Sequence, residues 1–200
     1  MRYSLSASDD SCYPCTTVLI NKQNIRKQEK LNKVEKMYVT LRTDELMKTN
    51  FTEPFTFEFY CYIHKVLFGD IYDWAGEIRT VDISKKGTNF CRSGNIRSLG
   101  KAKFDYLQRN NEFNSLSRDE YIKEIADFYH ELNMLHPFRE GNGRTERLFF
   151  SLLLKRNGNS IDFAKCDTDF LMMAAMYAAQ GVIDYLEDFF RSSVDFGTNQ

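Results

Sequence analysis

The stretch from Ser117 to Leu135, SLSRDEYIKEIADFYHELNML from two residues earlier, constrains the fold most strongly. Tyr121, Ile125, Phe128, Leu132 and Leu135 recur at the three- and four-residue spacing of a helix and make one apolar stripe. Ser117, three residues before Glu120, supplies a capping box at the start. A long helix whose stripe is aliphatic and aromatic needs other helices to cover it. The chain offers them. FTFEFYCYIHKVLFGD is apolar on nearly all sides and predicts a buried helix ending at Gly69, while RTERLFFSLLLKRNG predicts a second one closed by Gly158. NIRSLGKAKFDYLQRN, DTDFLMMAAMYAAQG and VIDYLEDFFRS add three more, with Met172, Met173 and Met176 expected as core filler. In NIRKQEKLNKVEKMYVTL, Ile25, Leu31, Val34, Tyr38 and Leu41 fall near helical spacing; the basic residues between them, interleaved with Glu29 and Glu35, read as a solvated face rather than a ligand surface.

Only 10 Gly and 3 Pro interrupt 200 residues, which also favours helix. The one convincing strand signal is IRTVDISKKGTNFCRSG, where β-branched residues alternate around a Lys-Lys-Gly turn, predicting a short β-hairpin through Thr88, Asn89 and Phe90. The expected architecture is all-α, a helical bundle with one hairpin, over residues 12–192. Residues 1–11 are an N-terminal extension and 193–200 a frayed tail.

Charge excludes some classes of function. With 27 basic and 28 acidic side chains the formal net charge is -1, so no global field draws the chain to nucleic acid or an anionic membrane. No apolar run is long enough to span a bilayer and MRYSLSASDDSC lacks a signal-peptide core, so a cytoplasmic protein is expected. The five cysteines are scattered and read as reduced thiols. Cys12 and Cys15 have redox-motif spacing, but a lone CxxC without a second ligand pair or a βαβ context is weak support for redox or metal chemistry.

The chemistry concentrates in HPFREGNGRTER, from His136 to Arg147. Pro137 disfavours continuing the preceding helix. Gly141 and Gly143 allow a tight turn that feeds a helix N-terminus, where orphan amides and the positive end of the dipole favour an anion. Arg144 and Arg147, three apart on one face, point to a polyphosphate. Glu140 beside phosphates calls for a divalent cation such as Mg²⁺, and His136 has the chemistry to take a proton from an attacking hydroxyl. The residues alone therefore read as metal-assisted transfer of a phosphorus-centred group from a nucleotide. Two rivals fail on spacing: GNGRT does not have the P-loop interval, and His130-Glu131 is followed by Met134 where a zinc protease needs its second His.

At every defined position this segment resembles the signature of Fic domains, H-[PF]-F-x-[DE]-G-N-G-R-x-x-R. CYPCTTVLINKQNI resembles the family's opening segment and LFGDIYDWAGEIRTVDISKKGTNF its middle block. The resemblance implies a bacterial-type protein adenylyltransferase that moves AMP from ATP to a Tyr, Ser or Thr hydroxyl of a target protein and releases pyrophosphate. In that reading His136 is the general base and Glu140 holds Mg²⁺. Gly141, Asn142 and Gly143 form the phosphate-binding hole, Arg144 and Arg147 hold the outer phosphates, and Phe138 anchors the loop. The hairpin at Thr88, Asn89 and Phe90 resembles the family flap, which docks a target by strand pairing. Asp73-Trp74-Ala75-Gly76 and His64 are structural. Cys15 stands where relatives often carry Gly, and Gly143 is not the Lys of a branch that phosphorylates its target. The family's internal inhibitory motif, [S/T]-x-x-x-E-[G/N], is approached only by Thr49 to Glu53, which Pro54 follows. Its absence implies a toxin-like enzyme inhibited in trans by a small antitoxin. The alternative is a nucleotide-binding interaction module without turnover.

Overall fold

A computed structural model describes residues 4–5, 11–85 and 87–197. Most of the N-terminal extension, Lys86 of the expected hairpin turn and the last three residues of the tail lie outside them. Among the described residues the helices are α1 (Gln28–Lys48), α2 (Phe57–Phe68), α3 (Ile96–Arg109), α4 (Arg118–Leu135), α5 (Asn142–Arg156), α6 (Thr168–Ala178) and α7 (Asp184–Ser193). The architecture is the expected helical bundle with a hairpin.

The capping box forms at the start of α4: Glu120 accepts from the Ser117 backbone N–H at 3.1 Å and from its hydroxyl at 2.6 Å. All five stripe residues of α4 are buried. α5 runs through the centre, packed against α2 on one side and α4 on the other, with α3 and α7 covering α4. Phe149 of α5 marks the middle of the core. Its ring lies 5.4 to 5.7 Å from those of Phe55, Tyr60, Phe104 and Phe150, all edge-on, and it is fully buried. Edge-to-face packing suits the aromatic quadrupole and lets flat rings fill space in several directions.

α1 departs from its sequence reading. Its buried residues are Leu31, Glu35 and Leu46, whereas Leu41 is half exposed and Ile25 precedes the helix. The stripe is rotated from the expected one, and an acid stands within it.

The hairpin pairs β2 (Ile83–Lys85) with β3 (Thr88–Asn89), antiparallel, with Ser84 opposite Asn89 and Lys85 opposite Thr88. Two further pairings were not anticipated. β1 (Ser4–Leu5) extends the hairpin along β2, so the sheet order is β1-β2-β3 and β3 is an edge. β4 (Ser160–Ile161) pairs with β5 (Val194–Asp195), so the chain just after Ser193 is held rather than frayed, with Val194 buried. Two-residue strands are too short to show a period of two, and their pairing depends on distant chain.

Candidate active site

The turn between α4 and α5 gathers the motif. His136 caps α4 in the left-handed region, φ 43°, its N–H on the Leu132 carbonyl. A non-glycine residue there is strained and persists only where surroundings over-determine it. They do: Arg79 donates from Nε to the His136 carbonyl at 2.8 Å, and its backbone N–H reaches the Pro137 carbonyl at 2.9 Å. Phe138 is fully buried and stacks on His64, centroids 3.8 Å apart. Asn142 laces the turn, accepting the Phe138 N–H and donating to the Phe138 carbonyl, both at 2.8 Å. Its side chain is thus committed to the loop and faces no anion. Gly141 has φ 83°, and a Cβ there would lie 2.5 Å from the Phe68 ring. Only glycine meets both demands.

His136 is buried, its ring stacked on Phe90 with centroids 3.8 Å apart and 15° between planes. Nδ1 lies 2.9 Å from the Asn133 carbonyl, which can only accept, so Nδ1 carries the proton and Nε2 has the in-plane lone pair. Burial, reinforced by Lys85 and Arg79, lowers its pKa to about 3, so the ring is neutral. The ring borders a cavity of about 210 Å³ together with Lys85, Phe90, Gly143, Glu146 and Arg147. α6 closes the cavity with Met172 and Met176. This corrects the expectation for the methionines: Met172, Met173 and Met176 are 46%, 36% and 38% exposed rather than core filler. Composition alone does not say whether an apolar face meets a core or a cavity.

At the α5 N-terminus, helix geometry leaves the first N–H groups without intrahelical partners. Among the described residues the Arg147 guanidinium has no acidic partner within ion-pair distance, and its Nη1 sits 3.3 Å from where a side chain at position 143 would begin. Neighbouring Glu146 is buried, and burial pushes its carboxyl well above the usual carboxylate range despite Arg147; its Oε1 has no hydrogen-bond partner among the described residues. A fixed cation and open amides make a place for an anion.

Arg144 turns elsewhere. Its Nη1 donates to Glu35 of α1 at 2.8 Å, its guanidinium lies 4.6 Å over the Phe68 ring, and Nη2 is 3.7 Å from Glu140. The two arginines do not converge on one spot as their spacing suggested. Glu140 accepts the Gly141 N–H at 2.9 Å. Among the described residues its carboxylate meets the Gly141 N–H and Arg144 through Oε1, which leaves Oε2 for a ligand. No cluster of three or more His, Cys, Asp or Glu among the described residues could hold a metal by itself. A cation here must draw its other ligands from water or phosphate, which suits Mg²⁺.

Sequence reasoning missed two side chains. Glu35, read as solvated, is buried and bonded to Arg144 and to the Tyr72 hydroxyl. Arg79 joins the His136 carbonyl to those of Val81 and Cys91, the two stems of the hairpin. The clue for Glu35 was its position four residues after Leu31; for Arg79 it was a lone cation within the apolar strand pattern. The middle block has a concrete role. His64 accepts the Gly76 N–H at Nδ1, 2.8 Å, which forces the proton onto Nε2, and Nε2 donates to the Glu140 carbonyl at 3.0 Å. Cys12 and Cys15 are free thiols, and Cys15 has φ 58°, a conformation that favours glycine.

The family model described as Fic/DOC matches residues 54–154. The chain belongs to the Fic/DOC family. It is 33% identical to protein adenylyltransferase VbhT of Bartonella schoenbuchensis across its whole length, spanning 42% of that protein. It is 31% identical to the probable protein adenylyltransferase Fic of Escherichia coli strain K12 over 93% of this chain and 92% of that one. The crystal structure of BepC from Bartonella tribocorum with bound AMPPNP superposes with a TM-score of 0.88 at 25% identity, covering 94% of this chain and 97% of that one. These relatives, named as protein adenylyltransferases, place this Fic chain among nucleotidyltransferase enzymes. No helix among the described residues is long and apolar enough to cross a membrane.

Proposed function

We propose that the chain transfers AMP from ATP to a Tyr, Ser or Thr hydroxyl of a target protein. The observation that carries this reading is His136, neutral, protonated at Nδ1 and bordering the same cavity as Gly143 and Arg147. The target oxygen attacks the α-phosphorus as its proton passes to Nε2. A bond forms from that oxygen to phosphorus, the bond from phosphorus to the bridging oxygen breaks, and pyrophosphate leaves. Asn142 and Gly143 present backbone N–H groups to the phosphates, Gly141 shapes the hole with its own N–H held by Glu140, and Arg147 holds the outer phosphates. Arg144 stands beside Glu140, whose free oxygen is the place for Mg²⁺. When bound, the ion neutralises phosphate charge.

The flap supports target docking by strand addition. β3 is an edge strand with Asn89 exposed and Thr88 partly so, and Phe90 ends it against the His136 ring. The Cys91 N–H bonds the Met134 carbonyl at 2.9 Å, fixing the flap to α4. An antitoxin acting in trans would set a glutamate against Arg147, which has no acidic partner among the described residues, and so displace the outer phosphate. Residues 49–53, the nearest internal match, are not helical.

The test is labelling of a cell lysate by the purified chain with labelled ATP and Mg²⁺. Covalently labelled protein bands that vanish with EDTA support the reading, and metal-independent labelling contradicts the role of Glu140. Strong self-labelling by the chain alone supports inhibition in trans. A silent chain that one internal Glu→Gly change switches on would place the brake in cis.

A further inference from the structure

We infer that Glu35 is a positioning residue that keeps Arg144 off the Glu140 carboxylate and thereby sets the metal affinity of the site. The inference rests on the proposed role of Glu140. Arg144 has two carboxylates within reach. Glu35 takes Nη1 at 2.8 Å, while Glu140 lies 3.7 Å from Nη2, too far for a hydrogen bond. Glu35 is itself pinned. It is buried in the α1 stripe and accepts the Tyr72 hydroxyl, whose ring stacks on Trp74 with centroids 4.4 Å apart. Phe68 supports the guanidinium from its face. Arg144 and Glu140 thus form only a loose ion pair, which would close to hydrogen-bond distance unless a nearer carboxylate held the guanidinium. Remove the negative charge of Glu35 and Arg144 is drawn to Glu140, where it competes with a divalent cation. The loss of one negative charge nearby weakens cation binding further, so both effects have the same sign.

The experiment is calorimetric binding of AMPPNP to the full chain, once with Mg²⁺ and once with EDTA. The ratio of the two Kd values measures the coupling between metal and nucleotide without any turnover. Glu35→Gln keeps the shape and one acceptor oxygen while removing the charge and the second acceptor, so Tyr72 and Arg144 cannot both be held. It is expected to lower that ratio by about tenfold, or to one if the wild-type ratio is smaller, the scale on which losing an outer partner weakens a bound metal. Binding in EDTA stays unchanged or tightens, which also reports that the variant is folded. Arg144→Gln raises the ratio, and adding Glu35→Gln to it lowers the ratio by less than Glu35→Gln does alone, since only the direct charge effect is left. A full-sized ratio in Glu35→Gln, or an equal drop with and without Arg144, overturns the role of Glu35 alone. A wild-type chain whose AMPPNP affinity ignores Mg²⁺ overturns the Glu140 reading and this inference with it.

Discussion

His136, the proposed base, is held neutral by burial, and burial has a cost that pH reveals. Its pKa is lowered to about 3 from an ordinary value of 6.5. The unfolded chain takes up a proton near 6.5 that the folded chain refuses, so stability is complete above that pH. It falls as pH drops toward 3, by about 1.4 kcal/mol per unit once the unfolded histidine is charged. Denaturant melts of wild type and His136→Asn between pH 7 and 4 should diverge in this direction; parallel curves would contradict the burial argument. At pH 7 His136→Ala should bind nucleotide nearly as wild type and lose about 10²- to 10⁴-fold in transfer. A variant that labels its targets at the wild-type rate removes His136 from the chemistry. Its candidacy as the base was legible in the sequence because histidine, anion turn and cations fall within twelve consecutive residues. The tautomer was not, since it depends on where the Asn133 carbonyl points.

At the scale of elements, the hairpin and the α4–α5 turn behave as one piece because Arg79 is bonded to both. Three carbonyls, of His136, Val81 and Cys91, depend on its fork of donors. Lysine offers a single ammonium and cannot reproduce that fork. Arg79→Lys is therefore expected to cost about 2–4 kcal/mol in denaturant unfolding, since buried carbonyls are left unpaired. Transfer should fall more steeply than nucleotide binding. An Arg79→Lys chain with wild-type stability and rate would show that the flap and the turn are independent. The existence of these elements was readable from periodicity and turn residues, but their coupling was not. Arg79 lies 57 positions from His136, and Glu35 lies 109 from Arg144. Periodicity marks which face of a helix is buried, yet it says nothing of the partner that an acid on that face will meet. The same gap misassigned the α6 methionines, whose apolar face meets the cavity.

For the whole molecule, the core converges on α5, the helix that also begins the site. Phe149 touches rings from the segment before α2 and from α2, α3 and α4. Phe149→Ala should cost about 3–5 kcal/mol, measured by chemical unfolding, because four neighbouring aromatic rings cannot collapse into the space. A loss under about 1 kcal/mol would mean that the core is centred elsewhere. Helix content and order followed from stripes and breakers, since every helix buries an apolar face against a neighbour. The β4–β5 pair did not, because it closes Ser160 against Asp195 through two residues on each side.

The central claim is that the group transferred is AMP. The most direct measurement is parallel labelling of a lysate by the purified chain with ATP carrying phosphorus label at either the α or the γ position, in Mg²⁺. The account predicts protein bands from α-labelled ATP, none from γ-labelled ATP, and none from either with His136→Ala. Bands from γ-labelled ATP alone would show transfer of the terminal phosphoryl group and contradict it.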